Sequence, residues 1–307
     1  VSRRRGTRNS NPTAPFTGCQ THFAQSFSAG NAFLANAATL GLHVPNVRDE
    51  LYWSFVETTA GVYDFSAFDA YVDAVAAAGV KLTFTADWSN TLYDPNTSRG
   101  GGQGFPDNAT SIQKYGDYIL ATIAHYHGPS GRHPGIFAAV EIWNEFNGTW
   151  NGGYSGQAAA APMTALLASV YPRIKAAYPT LTVLGGACVL APLGYAQWLA
   201  DAGALAYMDA FVVHLYMPPE DMVWYLGQLR AIFAAAGRPS LPIWSTEYSG
   251  NVTPDTTGVG VWTPRGFAGM RTAGVLQSSW YVGKNVTGFL SGLLNSAETA
   301  LNPAGTS

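Results

Sequence analysis

The chain has 307 residues, of which 11% are charged and 47% are hydrophobic. That charge is under half the roughly 25% of an average soluble protein, and the hydrophobicity excludes a disordered body. No apolar run approaches the about 18 residues of a spanning helix, and the lack of a repeat excludes collagen and coiled coil. The net charge of −3 is uneven, because Arg3, Arg4, Arg5 and Arg8 sit in the first eight residues. Without them, 12 basic groups face 19 acidic ones. An acidic body is a poor partner for a phosphate backbone, so nucleic acid is set aside. Residues 1–15 read as a basic tail or linker and 16–307 as one domain. Cys19 and Cys188 lie too far apart in sequence to suggest a disulfide framework.

Apolar, β-rich runs then alternate with Ala-rich helical stretches. The strands are expected at Thr17–Phe23, Val44–Arg48, Lys81–Asp87, Ile136–Trp143, Thr182–Ala187, Ala210–Tyr216, Pro242–Glu247 and Val275–Tyr281. Apolar residues at helical spacing predict helices over Phe65–Ala78, Ile112–Tyr126, Met163–Tyr178 and Asp221–Ala236. Gly79 and Gly237 follow two of the last turns, as helix stops do. Eight strand–helix units point to a single α/β domain, a (β/α)8 TIM barrel. A doubly wound sheet would want a Gly-rich fingerprint in its first turn, and Gly18-Cys19-Gln20 is not one. Residues 263–284 could instead form one long helix with the eighth strand at Val286–Leu290, but Val275–Tyr281 is preferred because Gly274 ends the preceding helix and enough residues remain for an eighth helix.

Chemistry in such barrels sits at the C-terminal strand ends. The polar residues expected there are His22, Arg48, Asp87 with Trp88, Asn144 with Glu145, His214, Tyr216, Glu247 and Trp280. The chain has only seven glutamates, yet Glu145 and Glu247 close strands four and seven, near neighbours across the mouth. Two carboxylates facing over a cleft suit glycoside hydrolysis, where one protonates the leaving oxygen and the other attacks the anomeric carbon. Glu141, four residues before Glu145, is expected to be a buried partner of Arg48 or another cation. Glu57 is expected to brace a loop. Trp150, Tyr154 and Trp262, in loops after strands four and seven, would suit sugar faces. Trp198, Trp224 and Trp244 read as packing residues. His125, His127 and His133 lie before strand four, at the non-catalytic end, so no metal is expected. The run Gly100-Gly-Gly-Gln-Gly104 lacks a following Lys and reads as a loop after strand three, not as a phosphate loop.

Glu141-Ile-Trp-Asn-Glu145-Phe-Asn147 resembles the acid/base segment of clan A glycoside hydrolases. His214-Leu-Tyr216 and Ile243-Trp-Ser-Thr-Glu247-Tyr resemble that clan's strand-six and strand-seven segments. Val47-Arg-Asp-Glu50, with Trp53, Glu57, Gly61 and Tyr63-Asp-Phe65, looks most like family 39 and related exopolysaccharide hydrolases, and Asp87-Trp88 through Tyr93-Asp94 fits the same group. The resemblance implies a retaining hydrolase of a β-linked oligo- or polysaccharide, with Glu145 as acid/base and Glu247 as nucleophile. It further implies that Asn144 bonds the sugar 2-hydroxyl, that Arg48, His214 and Tyr216 orient Glu247, and that Trp280 is a platform for the sugar. Phe146 departs from the family, where Pro is common. The alternatives are a family 5-like endoglucanase or mannanase, and a non-catalytic glycan-binding barrel. A carbohydrate substrate is the expected partner, without cofactor or membrane, for a monomer that is secreted or periplasmic.

Overall fold

The computed structural model describes residues 16–23, 30–94, 104–148, 154–249, 256–283, 292–297 and 299–302. The tail at 1–15, Trp150 and positions 100–103 of the glycine run lie outside them.

Eight parallel strands close into a barrel in the order β1 to β8. They are β1 (Thr17–Gln20), β2 (Asn46–Glu50), β3 (Lys81–Ala86), β4 (Phe137–Ile142), β5 (Thr182–Gly185), β6 (Ala210–His214), β7 (Ile243–Tyr248) and β8 (Gln277–Trp280). Each expected strand is present, most of them shorter than expected. The first stops at Gln20 instead of Phe23, and the fourth at Ile142 instead of Trp143. The residues beyond turn into the loops at the C-terminal ends of the strands.

Helices cover the outside: α1 (Gly30–Thr39), the single turn α2 (Trp53–Val56), α3 (Ser66–Ala77), α4 (Ala109–Tyr126), α5 (Ala160–Ala177), α6 (Leu193–Asp201), α7 (Pro219–Ala235) and α8 (Thr256–Thr272). The four expected helices are α3, α4, α5 and α7. Local chemistry sets their ends. Asn108 and Ser111 form a reciprocal capping box that satisfies two orphan amides of α4. Pro219, Glu220 and Asp221 open α7, where a missing N–H costs nothing and negative charge meets the helix dipole. Gly79 and Gly237 take φ of +69° and +77° just past α3 and α7, a conformation that strains any side chain. No helix follows β8 among the described residues, which instead hold an isolated antiparallel bridge between Leu294 and Leu301.

The apolar core lies between strands and helices, with Phe68, Val72 and Val75 of α3 and Leu226, Leu229 and Phe233 of α7 buried in it. Trp244 is buried in a smaller cluster with Ala139, Leu184 and Val212. Trp224 is corrected: it is 63% exposed on α7, so it is no core residue. One inward-facing residue of β2 bonds side chains of β1, β4 and β7 across the ring. Among the described residues no helix is long and apolar enough to cross a membrane.

Candidate active site

Arg48 is that residue. Its guanidinium is fully buried and holds four side chains from three strands and one loop. Nε and Nη2 donate to Glu141 Oε2 and Oε1 at 2.8 and 2.9 Å. Nη1 donates to Gln20 Oε1 at 2.6 Å and to Glu247 Oε1 at 2.9 Å, and Nη2 also reaches Asn144 Oδ1 at 2.9 Å. Burial alone would raise the Glu141 pKa. The Arg48 charge, with His214, overrides it and brings the pKa down to about 2. The expected pairing of Glu141 with Arg48 is present, in the planar fork geometry that only arginine offers.

His214, at the end of β6, is also fully buried. Its Nδ1 lies 2.9 Å from Glu145 Oε1 and 3.5 Å from Glu247 Oε2, and its Nε2 lies 3.1 Å from Thr246 Oγ1. Burial opposes charge on the ring. The carboxylates of Glu247, Glu141 and Glu145 outweigh it and push the pKa up to about 9. The ring is therefore an imidazolium at neutral pH, donating from both nitrogens. Tyr216 donates its hydroxyl to Glu247 Oε2 at 2.5 Å. Both oxygens of Glu247 thus accept from fixed donors, Arg48 on one side and Tyr216 on the other.

Glu145 is not on strand β4. The strand ends at Ile142, and Trp143 and Glu145 take φ of +65° and +46°, left-handed values that cost a non-glycine residue about 1–2 kcal/mol each. The turn brings the Glu145 carboxylate against His214 of β6, and strain of this kind collects at functional sites. One carboxylate oxygen each of Glu145 and Glu247 and a ring nitrogen of His214 lie within 4.8 Å of one another. The same three groups are joined through the His214 ring, whose Nδ1 faces both carboxylates.

The other expected residues divide. His22 is half-buried, and its Nε2 lies 3.1 Å from the Tyr281 hydroxyl. Trp88 is half-buried, its ring edge-on to Trp143. Asp87 is fully buried, and no described residue hydrogen-bonds its carboxyl oxygens. Burial, then the charge of Glu50, raises its pKa well above the usual carboxylate range. Direct substrate contact by Asp87 is therefore corrected. Trp280 is corrected too: it is fully buried on the outer face of β8 against Tyr248 and Phe267, with no ring face for a ligand. Strand alternation gives the inward position to Tyr281, which the sequence reading missed. Trp262 lies in α8 rather than in a loop, half-buried, its carbonyl accepting from Tyr248. Tyr154 is half-buried against Phe105 and Phe146.

Glu57 accepts from Trp53 Nε1 at 2.7 Å, Gly61 N at 2.7 Å and the Tyr93 hydroxyl at 2.5 Å, so it braces the loops after β2 and β3. The three clustered histidines go separate ways. His125 pairs with Asp69 and His133 with Asp73, and His127 accepts from the Phe137 amide.

No protein-family model and no curated protein matches the sequence. Solved structures do match. A monomeric beta-xylosidase from Caulobacter crescentus CB15 aligns with TM-score 0.72 and 20% identity over 94% of this chain and 66% of its own. The GH39 enzyme from Xanthomonas axonopodis pv. citri gives 0.71 and 21% over 94% and 64%. The fold is that of these barrels. An endo-1,4-beta-mannanase from Rhizomucor miehei, TM-score 0.61 and 17% identical, is covered over 94% of its length. The chain spans about two thirds of the first two proteins, so the likeness concerns their barrel.

Proposed function

We propose that the protein is a retaining glycoside hydrolase that cleaves a β-linked oligo- or polysaccharide by double displacement. The observation that carries this reading is the short gap between Glu145 and Glu247. One oxygen of each carboxylate lies within 4.8 Å of one of the other's, a close approach that fits the retaining spacing. An inverting enzyme needs room for a water and separates its carboxyls by about 6.5–9.5 Å, whereas a retaining one sets them about 5–5.5 Å apart.

Glu247 is the nucleophile. Arg48 and Tyr216 fix its two oxygens, so the carboxylate is aimed before substrate arrives. Glu145 protonates the leaving oxygen as the glycosyl–Glu247 bond forms, then takes a proton from the water that breaks that bond. His214 holds Oε1 of Glu145 at 2.9 Å and so fixes the carboxyl that carries the transferred proton. Asn144 gives its carbonyl oxygen to Arg48, so its amide N–H is the donor offered to the sugar 2-hydroxyl. The structural neighbours named beta-xylosidase and endo-1,4-beta-mannanase act, by those names, on β-linked sugars, which supports the substrate class. We infer a secreted or periplasmic enzyme, because a polymer substrate is met outside the cytoplasm, and a monomer, as the neighbour named monomeric beta-xylosidase supports.

The test uses aryl β-glycosides with a good leaving group and azide as an external nucleophile. Glu247→Ala should lose at least about 10³-fold in kcat, and azide should then give the α-glycosyl azide. Glu145→Ala should lose less with the good leaving group, about 10²–10⁴-fold with a poor one, and azide should give the β-glycosyl azide. Full activity in Glu247→Ala would refute the assignment.

A further inference from the structure

Two consecutive residues in the loop after β5 hold left-handed backbones. Leu190 and Ala191 take φ of +55° and +46°, values that strain any residue with a β-carbon. Glycine would make the same turn without strain. Ala191 is 3% exposed, so its methyl group gains burial. Leu190 is 66% exposed and gains little. An exposed leucine is ordinary by itself. One kept exposed on a strained backbone is explained neither by the turn nor by the core, and such strain clusters at ligand sites.

The same turn is tied to the loop that carries Glu145. The Phe146 amide donates to the Ala187 carbonyl at 3.1 Å. The Asn147 side chain then holds both backbone groups of Val189. Its Oδ1 accepts from the Val189 amide at 2.7 Å, and its Nδ2 donates to the Val189 carbonyl at 3.3 Å. Leu190 is the next residue. Burial, then the charge of Glu145, raises the pKa of the Cys188 thiol two positions earlier, so the start of this turn lies within reach of that carboxylate. On the proposed function, on which this inference rests, Glu145 protonates the leaving oxygen. The Leu190 turn therefore stands beside the group that departs, not beside the glycone held by Glu247.

We propose that Leu190 is a specificity residue for the leaving group, its side chain forming an apolar wall against which the ring of the departing sugar or aryl group packs. The strained turn, bolted to the Glu145 loop through Asn147, fixes that wall before substrate arrives, so little further ordering is needed on binding. The group it fits presents an apolar ring face next to the bridging oxygen, as the C–H face of a pyranose does.

The experiment keeps the glycone that the wild type cleaves best and changes only the leaving group. A dinitrophenyl β-glycoside carries a ring, and a β-glycosyl fluoride carries none. Both leave without a proton from Glu145, so a displaced Glu145 would not separate them. Leu190→Gly removes the side chain and suits the backbone. It should lower kcat/KM about 5–20-fold on the dinitrophenyl glycoside and less than about twofold on the fluoride, because apolar surface of the ring is no longer covered. Leu190→Asn tolerates the left-handed backbone but offers no apolar wall, and should give the same split. The melting temperature of Leu190→Gly should not fall. Equal losses on the two substrates, no loss on the dinitrophenyl glycoside, or a lower melting temperature in Leu190→Gly would overturn the proposal. If the wild type cleaves neither substrate, the proposed function fails and this inference with it.

Discussion

Arg48 and Glu141 face each other through two parallel hydrogen bonds of 2.8 and 2.9 Å, both groups sealed from solvent beneath the candidate catalytic pair. Removing one partner of such a pair strands the other charge. Arg48→Ala should destabilise the fold by about 3–5 kcal/mol, read as a lower denaturant midpoint. Arg48→Lys keeps the charge but cannot fork to Glu141 while reaching Glu247. It should fold with a smaller loss and still lower kcat by at least tenfold; wild-type kcat would show that Glu247 needs no arginine.

His214 gives a pH dependence with a definite sign. Its pKa is about 9 in the fold against 6.5 unfolded. A raised pKa stabilises fully below the unfolded value, and that contribution is lost as pH rises through the folded one. Unfolding free energy should therefore fall between pH 6.5 and about 9, and His214→Gln should flatten that part of the profile. Glu141 works in the opposite direction. Its pKa of about 2 gives stability that is lost as pH falls from its ordinary value of 4.5 toward 2.

Glu57 ties three donors from two loops with one buried carboxylate. Glu57→Ala should cost at least about 1–3 kcal/mol, because the Trp53 indole N–H is then buried without its partner. Hydrogen exchange should quicken over residues 53–63 and 88–94 while β5 and β6 stay protected. Uniform exchange across the barrel would argue against a local brace.

Gly266 lies under the Tyr248 ring, and a β-carbon there would come within 2.0 Å of the Tyr248 hydroxyl. Gly266→Ala must push α8 off β7 or rotate the ring. We expect a loss of about 1–3 kcal/mol in thermal or denaturant unfolding, as for overpacked cores. An unchanged midpoint would mean that the helix yields freely.

The eight strands were readable because parallel strands covered on both faces run as short apolar segments between helical ones. Glu145, Glu247, Arg48, His214 and Tyr216 were readable because polar residues at the ends of such runs have no packing role. Two kinds of residue escaped. Gln20 and Thr246 join the cleft network through bonds to Arg48 and to His214 and Glu141, partners that sequence spacing cannot supply. Tyr281 and Trp280 are adjacent aromatics at a strand end, and which one faces inward depends on register. The fifth-from-last strand shows the same limit: Glu145 looked like a strand residue in phase with Glu141, but two left-handed residues break the alternation before it. Trp224, apolar and on a helix, failed as a core residue because it sits outside the buried stripe of α7.

The first and last strands of the barrel are hydrogen-bonded neighbours, and the His22–Tyr281 contact lies across their join. The cleft is thus closed by residues about 260 positions apart, a separation that makes it a late-forming contact during folding. A ribosome-bound chain that has not yet released Tyr281 would hold Glu145 and Glu247 but no complete pocket. On the proposed function, nascent chains should show no glycosidase activity until the ring is shut, and a circular permutant that opens the chain elsewhere would move that moment earlier.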